Sequence, residues 1–293
     1  MKISILGLGL IGASIAASLK AINADVTITG YDRNEQATIS ALTQGHIDQA
    51  ATSIAEAIAD ADMVILAVFV EAIMDILTEI GPLLKPGAVV LDVGSTKAQI
   101  IEAMNLLPEG VQAVGGHPMT GRLTQGVDTA SEKLFQGRIF ALCPTHHTSV
   151  DTKNQVTDFV ESLGAKPLWL DAYQHDEYVA MVSHLSRLLP IAVMSAASQK
   201  DDLIWQLAAG SFREMTRMAS EPLGFWRDVF ATNPAGISTN LRDVANQLEQ
   251  FAQLIEAGDI DAIAAHSQQA EDIWQRLYGN SSQAASQPGE QDA

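Results

Sequence analysis

The segment that most restricts this chain is Gly7-Leu8-Gly9-Leu10-Ile11-Gly12, which joins an apolar run, Lys2 to Leu6, to a stretch of helical character, Ala13 to Leu19. Glycines at this spacing between a strand and a helix form a dinucleotide-binding turn. The first permits the tight turn, the second lets backbone approach a pyrophosphate, and the third lets the helix pack closely on the strand. The phosphates then meet the helix start at Leu10 and Ile11, where free N–H groups and the helix dipole favour negative charge. Twenty residues past Gly12, the apolar run Val26 to Tyr31 ends at Asp32. A carboxylate there accepts hydrogen bonds from the ribose hydroxyls of NAD and repels a 2′-phosphate. Arg33 keeps NADP open, because a guanidinium beside the ribose can accept that phosphate. Asp32 also has a plainer reading, in which it opens the next turn and caps a helix near Asn34.

Charge narrows the partners. With 17 basic and 35 acidic residues the chain carries a formal −18, which argues against nucleic acid and anionic membrane as binding partners. An anionic substrate therefore needs a local group of arginines. The single cysteine, Cys143, excludes an intramolecular disulfide and suits a reducing cytoplasm. No signal peptide is visible, and no uninterrupted apolar run reaches membrane-spanning length.

In the first half, strands alternate with helices: strands at 63–68, 88–93, 112–115, 138–143 and 166–170, with helices near 35–44, 71–84, 96–105 and 150–163. This alternation predicts an α/β fold, a Rossmann-type doubly wound and mostly parallel sheet, over residues 1–170. Ligands of such sheets bind beyond the carboxyl ends of the strands. From Asp171 the apolar spacing becomes helical throughout. Asp171 and Gln174 read as a capping box, Pro190 should kink or split the first long helix, and later helices are expected near 203–209, 222–231, 234–256 and 260–278. Residues 171–278 thus read as an all-helical domain, and 279–293, rich in Ser, Gln and Gly, as a disordered tail.

The chemistry-bearing residues interrupt these apolar or glycine-rich segments. Ser95, in Val93-Gly94-Ser95-Thr96-Lys97, follows a buried strand and can face a nicotinamide, cap the next helix, or do both. His117, in Gly115-Gly116-His117-Pro118-Met119-Thr120-Gly121, is expected in a loop at the same edge, where an imidazole can take a proton from a hydroxyl near neutral pH. His175 and His184 lie on the first long helix, and either can be a site residue or a hydrogen-bonded core histidine. Arg213 and Arg217 stand four apart, so one helical face can present both to a carboxylate; a solvated face is the alternative. Trp226-Arg227-Asp228 reads as helix packing. His146 and His147 sit in a polar turn, and no metal-ligand spacing appears.

Taken together, these motifs resemble the prephenate and arogenate dehydrogenase family of tyrosine biosynthesis. The resemblance covers residues 1–278 and rests on GLGLIG, Asp32, DVGSTK at Asp92 to Lys97, GGHPMTG at Gly115 to Gly121, HDEYVAMVSHL at His175 to Leu185, FREMTR at Phe212 to Arg217, and WRD at Trp226 to Asp228. It implies a nucleotide-binding half and a helical half that forms a homodimer, with NAD or NADP as hydride acceptor. It also implies His117 as the group that polarises the substrate hydroxyl, Ser95 as its orienting partner, and Arg217, with Arg213, His184 and His175, at the substrate.

Two departures from the family pattern add charge. Arg122 follows the GGHPMTG segment, and Arg187 stands where many members carry a second histidine. If either points inward, prephenate, with two carboxylates, is favoured over arogenate, whose ammonium a cation would repel. Two rival readings remain, a β-hydroxyacid dehydrogenase and a non-catalytic nucleotide sensor. The first relies on a lysine on the first long helix, where the nearest here is the distant Lys200; the second has no need of His117, Ser95 and Arg217 together.

Overall fold

The computed structural model describes residues 1–22, 25–121, 126–224 and 226–279. The sheet strands are β1 (Lys2–Leu6), β2 (Thr27–Tyr31), β3 (Gln49–Ala50), β4 (Met63–Leu66), β5 (Val89–Asp92), β6 (Gln112–Pro118), β7 (Ile139–Pro144) and β8 (Lys166–Trp169). Between them run α1 (Leu10–Ile22), α2 (Glu35–Thr43), α3 (Ile54–Ile58), α4 (Val70–Ile80), α5 (Ala98–Met104) and α6 (Val150–Ser162). The eight strands form one sheet in the order β3-β2-β1-β4-β5-β6-β7-β8. All neighbours are parallel except β6 and β7, which run antiparallel.

Alternation along the central strands covers both faces, as a doubly wound sheet requires. Met63 and Ile65 of β4 and Leu91 of β5 point into one apolar cluster with Ile15 of α1 and Val160 of α6. Val64, Leu66 and Val90 point into the other, with Ile73 and Leu77 of α4 and Ile100 of α5. Two short elements were not expected from the sequence, β3 and α3; a strand of two residues and a helix of five carry too little periodicity to read.

The strand carrying His117 is longer than expected. Pairing of β6 with β5 ends at Leu91 and Val114, yet β6 runs on to Pro118, with His117 opposite Ala141 of β7. His117 is thus not a loop residue: it rides on the projecting end of a strand, held on one side by β7. The glycine pair hid this extension, since glycine is a poor strand former.

After β8, no strand occurs among the described residues. The helices are α7 (Ala172–Val179), a π-helical turn (Ala180–His184), α8 (Leu185–Ala197), α9 (Leu203–Gln206), α10 (Gly210–Thr216), a 3-10 turn (Arg217–Ser220), α11 (Trp226–Thr232), α12 (Pro234–Ala257) and α13 (Ile260–Tyr278). Asp171 caps α7 by accepting from the N–H groups of Tyr173 and Gln174, while the Gln174 side chain turns to Tyr178 rather than completing a box. Pro190 lies inside α8 and does not split it; the irregularity falls earlier, at the π-helical turn. Ala172–Ala197 is long and apolar enough to cross a membrane by length and composition, yet one side of it buries His175, Asp176, His184 and Arg187, with His175 bonded to Asp176 and Arg187 to the Met218 carbonyl.

The chain divides into two compact units, Met1–Ile237 and the part beginning at Ser238. The change from sheet to helices at residue 170 is therefore a change of element type within the first unit, where α7 packs on α5 and α11 on α4.

Candidate active site

The glycine turn is built as its spacing demands. Gly7 has φ +99°, and a Cβ there would lie 2.3 Å from the Ala67 carbonyl oxygen. A Cβ on Gly12 would lie 1.9 Å from the Gly7 oxygen, while one on Gly9 would meet nothing within 4 Å. Gly7 and Gly12 thus serve turn and packing, and Gly9 faces the open space that a bound pyrophosphate needs. Asp32 holds this turn with both oxygens, accepting from Leu8 N at 2.8 Å and from Asn34 N at 2.8 Å. Asn34, not Asp32, is the N-cap of α2. A carboxylate has about four acceptor positions, so two remain for ribose hydroxyls. Arg33 is exposed beside it.

On the other side of β1, the end of β6 carries a chain of three side chains. His117 Nδ1 lies 2.9 Å from His175 Nε2, and His175 Nδ1 lies 2.8 Å from Asp176 Oδ1. Asp176 also accepts from Lys97 N at 2.7 Å and Ala98 N at 2.9 Å, so a carboxylate from α7 caps the first turn of α5. His117 keeps partial solvent access, whereas His175 is 1% exposed. Burial first, then the neighbouring His175, Lys97 and His184, hold the His117 pKa well below the ordinary 6.5. The ring is neutral at physiological pH, as a proton acceptor must be.

Beneath His117 sits an ion pair with no solvent exposure. The Lys97 ammonium donates to Asp92 and, at 2.7 Å, to the Gly116 carbonyl oxygen, while Asp92 accepts from Gly94 N at 2.7 Å and Gly116 N at 3.1 Å. The pair ties the projecting part of β6 to the end of β5 on both sides of the Gly116 peptide. Burial pushes the Asp92 carboxyl above its usual range, against the pull of Lys97. Gly116 is needed for this approach, since a Cβ on it would lie 2.5 Å from the Asp92 backbone oxygen, whereas one on Gly115 would meet first the movable end of Ile101, at 2.8 Å from Cδ1. Cys143, opposite Gly115 on β7, is no nucleophile, since burial pushes its thiol up to about 12.

The helical candidates divide. Ser95 is half-buried and is not the cap of α5, whose first N–H groups go to Asp176; its hydroxyl remains available at the sheet edge. Arg213 lies on α10, and Arg217 opens the 3-10 turn that follows; both are exposed. His175 has both ring nitrogens engaged within the protein, so it has no nitrogen free to contact substrate directly. His184 is 1% exposed and edge-on to Trp226, burial lowers its pKa to about 4, and its buried Nε2 has no hydrogen-bond partner among the described residues. Arg187 does not point into an open site. It is 4% exposed, and its two terminal nitrogens donate to the carbonyls of Met218 and Glu221, which fixes the turn that begins at Arg217. Arg122 lies outside the described residues.

Comparison with known proteins decides the family. The model of the prephenate dehydrogenase nucleotide-binding domain matches residues 15–168, and that of the prephenate dehydrogenase dimerization domain matches residues 171–269. The chain belongs to the prephenate dehydrogenase family. A prephenate dehydrogenase of Lactococcus lactis is 32% identical over 282 residues, covering 94% of this chain and 77% of that one. Among solved structures, an arogenate dehydrogenase from Synechocystis has 28% identity and a TM-score of 0.85, covering 94% of this chain and 100% of its own. A prephenate dehydrogenase from A. aeolicus, solved with hydroxyphenyl propionate and NAD+, has 25% identity and a TM-score of 0.87, covering 94% of this chain and 98% of its own.

Set in this family, four residues gain parts that sequence reasoning did not give them: Asp92, Lys97, Asp176 and Asn233. Asn233 Nδ2 donates to the Asp176 carbonyl at 2.7 Å, fixing the helix turn that bears the carboxylate. The motifs containing Asp92, Lys97 and Asp176 were legible, but charged residues in a motif normally read as solvent-facing. Trp226 and Asp228 do act in packing as expected: Trp226 Nε1 donates to Glu221, and Asp228 accepts from Glu71 N in the first turn of α4.

Proposed function

We propose that this chain catalyses the oxidative decarboxylation of prephenate to 4-hydroxyphenylpyruvate with NAD as hydride acceptor, a step of tyrosine biosynthesis. The observation that carries this reading is a neutral, partly exposed His117 on the projecting end of β6, with Nδ1 already committed and Nε2 left to accept a proton. When bound, NAD supplies the hydride acceptor. The glycine turn and Asp32 fit it on the geometry above, with Asp32 favouring NAD over its phosphorylated form.

In this mechanism His117 accepts the proton of the ring hydroxyl as hydride leaves the same carbon. Ser95 orients that hydroxyl, and Arg217, with Arg213 nearby on the chain, binds a substrate carboxylate. Loss of carbon dioxide aromatises the ring and makes the step effectively irreversible. Holding the reacting carbons together contributes much of the acceleration. Arogenate is the alternative substrate, and the commitment of Arg187 to backbone carbonyls removes one argument against it.

The helical half is proposed to form a homodimer. The match to a dimerization domain supports this, as do the exposed Leu248 and Ile255 of α12 and Ile273, Trp274 and Leu277 of α13, large apolar groups that a partner surface would cover.

The test is purified chain with prephenate and with arogenate, each with NAD and NADP, followed by absorbance of the reduced cofactor. The prephenate and NAD trace should rise fastest. Faster turnover of arogenate would replace the substrate, faster reduction of NADP would replace the cofactor, and four flat traces would reject the reaction.

A further inference from the structure

We propose that His175 and Asp176 are positioning residues that fix which nitrogen of His117 carries its proton, through the hydrogen-bond chain Asp176–His175–His117. The inference rests on the reading of His117 as the proton acceptor and explains how its ring is held ready.

With His175 neutral, the direction of every bond in the chain follows from its carboxylate end. The Asp176 carboxylate only accepts, and its oxygens already receive the backbone N–H groups of Lys97 and Ala98. His175 Nδ1, at 2.8 Å, must therefore donate to it. A neutral His175 then has its lone pair on Nε2, so across the 2.9 Å contact His117 Nδ1 is the donor. That leaves the His117 lone pair on Nε2. A free neutral imidazole prefers the opposite arrangement, so the chain imposes a form that would otherwise be the minor one.

The same chain serves the charge that forms in the reaction. When the substrate hydroxyl gives its proton to His117 Nε2, the ring becomes a cation in a site where burial first, and then the neighbouring His175 and Lys97, oppose positive charge. The Nδ1 proton can shift toward His175, whose own Nδ1 proton faces the Asp176 carboxylate. The new positive charge is thereby balanced by a buried anion two residues away along the bonds. This is the role an aspartate plays behind a catalytic histidine in hydrolases, with one imidazole inserted between them. Asp176 is itself clamped by the start of α5 and by Asn233, so the chain has a fixed far end.

Nitrogen NMR of histidine-labelled protein reads the tautomer directly, and His175→Leu and His175→Gln separate its causes. Leucine removes the acceptor; glutamine places an oxygen near the former Nε2, keeps the bond from His117, and cannot pass charge to Asp176. The wild type should show His117 protonated at Nδ1. In His175→Leu the proton should move to Nε2 and kcat should fall about 100-fold or more, the scale of a general-base contribution, with substrate KM within about threefold. His175→Gln should keep the wild-type tautomer and recover about tenfold in kcat over the leucine variant.

A wild-type His117 protonated at Nε2 would overturn the proposal, as would a glutamine variant whose tautomer has switched. If the leucine variant does not fold, the wild-type and glutamine spectra decide alone. An inactive wild-type protein would refute the reaction and leave the hydrogen-bond chain to be judged by these spectra.

Discussion

Replacing Gly116 with alanine should damage catalysis far more than folding. The added Cβ would lie 2.5 Å from the Asp92 backbone oxygen, roughly 0.9 Å inside the 3.4 Å at which ordinary contact begins, with Phe140 Cε1 at 2.9 Å and Leu91 Cδ1 at 3.0 Å on the other sides. The aromatic and leucine contacts can yield by side-chain motion, but the oxygen belongs to β5 and cannot. The projecting end of β6 must therefore lift away from β5 by a large part of an ångström, and His117 is the next residue on it. Overpacking of this kind costs about 1–3 kcal/mol, which a domain of this size survives. A displacement near 1 Å at a reacting group, by contrast, costs about 100-fold in rate. Urea unfolding gives the first number and kcat at saturating prephenate the second. A folded Gly116→Ala enzyme with kcat within about threefold of wild type would refute the claim that β6 is held at its limit of approach.

The glycine turn offers a paired test: Gly9→Ala should leave the unfolding midpoint unchanged and weaken NAD binding, whereas Gly12→Ala, facing the Gly7 oxygen at 1.9 Å, should destabilise the fold itself. Equal effects of the two on stability would contradict the division of roles. Because His117 acts in its neutral form and its pKa is held well below 6.5, kcat/KM should fall only as pH drops through that lowered value, and an acid limb at or above 6.5 in the rate profile would contradict the burial argument. Arg187→Ala leaves the half-buried carbonyls of Met218 and Glu221 without their donor, at about 0.5–1.5 kcal/mol each where water replaces it. The Arg217 turn should loosen, and substrate KM should rise with NAD KM unchanged; an unaltered prephenate KM would mean that Arg187 does not set that turn.

Much of the sheet was legible because its signals are local: the glycine turn, the terminal Asp32 and the period-two apolar strands each sit within a few consecutive residues. What escaped was set at long range. The antiparallel direction of β7 depends on pairing and not on composition, and the strand character of Gly115 to Pro118 comes from β7 and the Lys97 pair rather than from its own residues. The same distinction separates the site residues. His117 could be located by its place past a strand. His175 and Asp176 gain meaning only from the 58 residues that separate His175 from its bonding partner His117. The sequence left open whether Arg187 points into the site, and only folding brings it to the 217–221 turn, 31 residues away at its Met218 contact.

Two carboxylates from the later helices, Asp176 and Asp228, close the starts of α5 and α4 in the sheet half. Grafting experiments inherit a rule from this. A chimera that exchanges the helical segment among relatives at residue 170 must import an acid at both positions, or two helices of the recipient will begin with bare amide groups. A cut placed after Ile237 would transfer neither, and so would spare both junctions.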